Sequence, residues 1–154
     1  MKKLLILSLL FLCNCATLMP VEKRQKGFTD YTGLKKEAAF NGARVWFTRT
    51  FRDASRVIQY ADIQQGKIVA KGYIPCEALK DPLGLIQANN LRVVIDLTIK
   101  DNKLISNWQN LEMFNDNYIS ESLNVTSEEK LNKVINECIM PVKASLIRSI
   151  KSGV

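Results

Sequence analysis

Leu91-Arg92-Val93-Val94-Ile95-Asp96-Leu97-Thr98-Ile99-Lys100 places Leu91, Val93, Ile95, Leu97 and Ile99 on one side of an extended chain. Arg92, Val94, Asp96, Thr98 and Lys100 fall on the other. Side chains alternate between the faces of a strand, so this run predicts a strand with one face in a hydrophobic core and the other mostly in water. Asp101-Asn102 comes next, a pair that tolerates the positive φ of a tight turn, and a second strand is expected over residues 103–114. There Leu104, Ser106 and Trp108 oppose Ile105, Asn107 and Gln109 before the phase shifts to Leu111 and Met113, which predicts a bulge or similar irregularity.

Two more strands are expected upstream, over residues 56–63 and 67–74. The Gln64-Gln65-Gly66 between them is a hairpin signal. Residues 75–90, with Pro82 and Gly84, read as a longer connection. Ahead of the hairpin, Ala39, Ala43, Trp46, Phe47 and Phe51 recur at three- and four-residue steps, the mark of a one-faced helix over residues 34–53. Gly42 inside it costs about 1 kcal/mol relative to Ala, which suggests a close approach by another element.

Residues 115–125 are polar and loop-like. Thr126 and Glu129 have the form of a capping box, and Leu131, Val134, Ile135, Cys138, Ile139, Val142, Leu146 and Ile150 continue an apolar helical stripe suited to core packing. Pro141 should kink or divide this helix. Lys143, Arg148 and Lys151 near its end suit the helix dipole. Residues 34–154 thus read as one α+β domain.

The first residues read as an address. Met1-Lys2-Lys3 is followed by nine residues, 4–12, of which only Ser8 is polar, the layout of a signal peptide over residues 1–14. Nine helical residues span about 14 Å, roughly half a hydrocarbon core, too short for a finished transmembrane helix. Leu12-Cys13-Asn14-Cys15-Ala16-Thr17 resembles the lipobox of bacterial lipoproteins. That resemblance implies cleavage between Asn14 and Cys15, with lipid on the Cys15 sulfur; Cys13 is the rival acceptor, behind the bulky Leu12. Asn14 departs from the small residue usual before the cysteine. Two or three acyl chains hold a protein stably on a membrane without a spanning helix. With no Asp after Cys15, resemblance to the enteric sorting pattern implies an outer-membrane, cell-envelope location. Residues 15–33, polar and carrying Pro20 and Gly27, read as a lipidated tether in which Phe28 and Tyr31 offer a short first strand.

The formal charge is +7, and loss of Lys2 and Lys3 with the signal lowers it by two to +5. Lys and Arg are scattered, and an exported chain rarely meets nucleic acid, so anionic lipid or an acidic envelope partner suits this balance better. There is no His, which removes the commonest general base and metal ligand. Asp96, Asp101, Glu112 and Asp116 show no spacing that holds two carboxylates together, so no catalytic residue, metal or cofactor is expected. Cys76 and Cys138 are either a disulfide, which an oxidising compartment permits, or two small buried apolar residues.

Three motifs, taken in order, carry a family resemblance. They are Ala43-Arg44-Val45-Trp46-Phe47; Val57-Ile58-Gln59-Tyr60 leading to Gly66-Lys67-Ile68-Val69-Ala70-Lys71-Gly72; and residues 94–103 from Val94 to Lys103. Together they resemble the uncharacterised bacterial domain family with a TBP-like fold, domain of unknown function 4468, over roughly residues 34–115. The resemblance implies a curved antiparallel sheet of four to five strands with an N-terminal and a C-terminal helix packed on one face. After Lys103, where family members often carry basic and aromatic residues, this chain has Leu104-Ile105-Ser106-Asn107.

The function expected is a non-catalytic binding or scaffolding module in the cell envelope. It would receive a peptide or envelope protein on the face of Arg92, Val94, Asp96 and Thr98, near Tyr60 or Tyr73. The alternative is a membrane-active protein working through its basic surface and C-terminal amphipathic helix.

Overall fold

The strand that begins at residue 90 lies at the centre of the sheet. The computed structural model describes residues 19–51, 54–78, 90–114 and 125–153. In chain order it contains β1 (Lys26–Tyr31), α1 (Lys36–Thr50), the single turn α2 (Ala54–Val57), β2 (Ile58–Asp62), β3 (Lys67–Pro75), β4 (Asn90–Lys100) and β5 (Lys103–Phe114). Then come α3 (Glu128–Val134), a π-helical turn (Ile135–Ile139) and α4 (Met140–Ser152). All strand pairs are antiparallel, and the sheet order is β1-β5-β4-β3-β2.

The alternation in β4 is the alternation of the sheet. Leu91, Val93, Ile95, Leu97 and Ile99 are buried together with Ile68, Ala70 and Ile74 of β3 and Leu104, Trp108, Leu111 and Met113 of β5. This apolar face is covered by α1, through Ala39, Phe40, Ala43, Trp46 and Phe47, and by Val134, Ile135, Cys138, Ile139, Leu146 and Ile150 of the C-terminal helices. The helices meet closely: a Cβ on Gly42 would lie 2.9 Å from the Ile150 Cα, which is why α1 carries a glycine there. Trp46 Nε1 donates to Ser145 Oγ at 3.2 Å across the same seam.

The chain is part of the fold well before Leu34. Met19 packs against the core, Val21–Lys23 forms a 3-10 turn, and Leu111 N–H donates to Arg24 O at 3.3 Å. β1 then pairs along β5 from Lys26↔Trp108 to Tyr31↔Lys103. The expectation of a tether over residues 15–33 is therefore corrected from Met19 onward: a strand that closes a sheet edge is domain, not leash. β1 is also tied to the helical layer, since Lys143 Nζ donates to Asp30 Oδ1 at 2.7 Å and lies 5.0 Å from the Phe28 ring centroid.

The helix termini depart from local expectation in three places. The cap on α3 is Ser127, whose Oγ accepts from Lys130 N–H at 3.3 Å, rather than Thr126. The first N–H of α1, that of Lys36, is capped at 2.8 Å by Asp101 Oδ1 from the β4–β5 turn. Pro141 has no N–H to give the Glu137 carbonyl; the ladder opens by one residue, and Met140 N–H reaches Ile135 O to form the π turn. The C-terminal helix is thus divided at Pro141 into α3, π turn and α4.

Candidate functional site

The second face of the sheet carries no helix among the described residues. β4 displays Arg92, Val94, Asp96 and Thr98 there, each half-buried between neighbouring strands. The register sets Arg92 between Tyr73 and Glu112, Val94 between Lys71 and Gln109, Asp96 between Val69 and Asn107, and Thr98 between Lys67 and Ile105. Tyr60, opposite Val69 in β2, and Tyr31, opposite Lys103 in β1, stand on the same side. Tyr31, Tyr60 and Tyr73 are 70%, 43% and 53% exposed, an aromatic display on an otherwise polar surface.

Most of the charge on this face is internally matched. Arg92 pairs with Glu112, and this hydrogen bond above all holds the guanidinium above its ordinary value. Lys67 Nζ lies 2.5 Å from Asp96 Oδ1 and donates to Thr98 Oγ1 at 3.5 Å. The four residues expected to form a binding face are therefore together, but three of them hold cross-strand ties, and Val94 is the apolar centre between them. Asp62 closes the neighbouring turn by accepting from Gln64 N–H at 2.8 Å and Gln65 N–H at 3.0 Å. These bonds, Gln65's first, hold its carboxyl below the usual 3.8. Tyr60 Oη donates to Asp62 Oδ2 at 3.2 Å, and partial desolvation followed by the Asp62 charge raises the Tyr60 hydroxyl above its ordinary value.

A cleft that sequence reasoning missed opens beside this face. β2 pairs with β3 only as far as Ile58↔Ala70, whereas β3 continues to Pro75. On that side no strand among the described residues pairs with residues 71–75. The cleft there, about 580 Å³, is lined by Phe51, Arg56, Val57, Gln59, Lys71, Gly72 and Tyr73. Gly72 lets the Phe51 ring lie on the strand, for a Cβ would meet Phe51 Cε1 at 2.8 Å. Phe51 and Val57 give the cleft an apolar wall. The sequence carried no signal for it, because residues 56–63 and 67–74 read as strands of equal length.

Cys76 and Cys138 are joined in a disulfide, Cα atoms 5.2 Å apart. It ties the segment just after β3 to the π turn, with Met113 Sδ 3.7 Å from Cys76 Sγ. Asn14, Cys15 and the rival Cys13 lie outside the described residues, as does Asp116. Of the other carboxylates weighed for catalysis, Asp96 and Glu112 are ion-paired and Asp101 caps α1. No group of three metal-ligating side chains occurs among the described residues, and no helix among them is long and apolar enough to cross a membrane.

An antiparallel five-stranded sheet with one helical layer and one open face defines an α+β domain of the TBP-like class. The match to the family described as "Domain of unknown function (DUF4468) with TBP-like fold", over residues 29–114, makes the chain a member of that family. Among solved structures, a TBP-like protein from Parabacteroides distasonis is similar at TM-score 0.54 and 10% identity, covering 86% of this chain and 96% of its own. A DUF4468 family protein from Bacteroides ovatus aligns at TM-score 0.45 and 12% identity, over 79% of this chain and 78% of its own. No curated protein matches.

Proposed function

We propose that this chain is an exported lipoprotein, anchored to the outer membrane through Cys15, whose domain is a non-catalytic module that receives an envelope polypeptide. The polypeptide seats in the cleft beside β3 and spreads over the open face toward Val94. The observation that carries this reading is the one-sidedness of the sheet: among the described residues helices occupy one face, while the other presents exposed tyrosines beside an apolar cleft.

On the open face Asp96 and Glu112 are each paired with a cation, which suits a polar docking surface. The disulfide supports export, since such bonds persist in oxidising compartments. The membrane-active alternative gains no support from the C-terminal helix, whose apolar residues Val134, Ile139, Leu146 and Ile150 are buried in the core.

The test places a photoreactive residue at Tyr73, at Val94 and, as a control on the helical layer, at the exposed Arg44 of α1 in the full chain in its native envelope. Polypeptide adducts at Tyr73 and Val94 that are absent at Arg44 are expected. Adducts confined to Arg44, or none at any of the three, overturn the choice of face.

A further inference from the structure

We infer that the end of the domain bearing Val21 and Lys23 is pressed against the bilayer, so that the domain stands end-on at the lipid surface. This rests on the reading of Cys15 as the point of lipid attachment. The chain is fixed to the fold from Met19, which packs on the core. The next residues are held by Lys23 N–H to Pro20 O at 2.9 Å, Arg24 N–H to Val21 O at 3.0 Å and Leu111 N–H to Arg24 O at 3.3 Å. Only residues 16–18 separate the acylated cysteine from that fixed point. Four residue steps, even fully extended, reach no more than about 14 Å. A leash this short leaves no room for the domain to stand away from the headgroups.

Which end faces the lipid follows from the direction of β1. Lys26 lies beside Trp108 and Tyr31 beside Lys103, so β1 leads away from the attachment. Five residue steps along it put the Asn102 turn and the Gln65 turn about 17 Å farther out. The near end carries Val21, 42% exposed, with the exposed Glu22 and Lys23 beside it. The Lys23 ammonium there meets lipid phosphate, while the Val21 side chain turns toward the acyl boundary. Residues 73–75 of β3 and the cleft beside them lie at this same near end, so whatever occupies the cleft is itself at the membrane.

The experiment uses the full chain in native membranes, with a photoreactive residue at Val21, Lys23 or Gln65 and mass spectrometry of the N-terminal peptide. A second form carries about twenty Gly and Ser residues inserted after Thr17, which lengthens the leash by roughly 25 Å. Expected are phospholipid adducts at Val21 and Lys23, none at Gln65, and loss of the adducts on insertion. A diacylglycerol on Cys15 together with no adducts at Val21 and Lys23, or with equal adducts at Gln65, overturns the end-on placement and leaves the anchor standing. An N-terminal peptide without lipid removes the anchor and the placement with it.

Discussion

Asp62 shows how much one side chain settles locally. Its carboxylate organises the β2–β3 turn by accepting two successive backbone N–H groups, and its folded value lies below the ordinary 3.8. A carboxyl depressed in the folded state stabilises fully above its unfolded value, and that contribution is lost as pH falls through the folded value. Amide exchange at Gln64 and Gln65 should therefore lose protection below pH 3.8, while Asp62→Asn should make protection of these two amides independent of pH in that range. Protection that survives acid in the wild-type chain would refute this role. Other residue-scale features were hidden from the sequence for a definable reason. In the register set by the Asp101-Asn102 turn, Arg92 would face Leu111. The extra residue at Asn110, with φ of 53°, slides it to Glu112. The irregularity was legible from the phase shift at Leu111, but its position was not, and so neither was the ion pair.

The elements were legible where periodicity is strong. β3, β4, β5 and the helical stripe of the C-terminus follow their side-chain patterns, because burial of one face dictates them. β1 was harder to read: an edge strand buries little, and in β1 only Phe28 and Asp30 are half-buried. The cap on α1 was illegible because Asp101 is 65 residues away from Lys36. The seam between α1 and α4 gives a direct test. Gly42→Leu must move a backbone that stands 2.9 Å from the new Cβ, and overpacking of this kind costs about 1–3 kcal/mol. A fall of the urea midpoint is expected with an unchanged slope, and an unshifted midpoint would show the seam to be loose. The disulfide stitches the segment following β3 to the π turn across 62 residues. In the chain-entropy account a loop of that length contributes about 4 kcal/mol, so reduction, or the pair Cys76→Ala with Cys138→Ala, should lower unfolding free energy on that scale in equilibrium denaturation. A loss below about 1 kcal/mol would mean that the reduced chain keeps the two elements together unaided.

At the scale of the whole molecule, the layered α+β fold was legible because three motifs in fixed order set both the hairpins and the leading helix. The family match over residues 29–114 places the chain in that fold family. The cleft was not legible, since it exists only where β2 ends before β3 does. The proposed anchor also belongs to this scale. Cys15→Ser should move the protein from the membrane fraction to the soluble fraction. Membrane retention of the variant would assign attachment to another residue.

The pairing of β1 with β5 has a kinetic consequence. The first strand of the chain finds its neighbour only after residues 103–114 exist, whereas β2–β3 and β4–β5 are joined by short turns. Contacts of such long sequence separation form late, because loop closure must precede them. During synthesis the leading segment therefore has no native strand to pair with until most of the polypeptide has been made. It stays threadable, which is the condition in which a chain can be drawn through a narrow pore by its N-terminus.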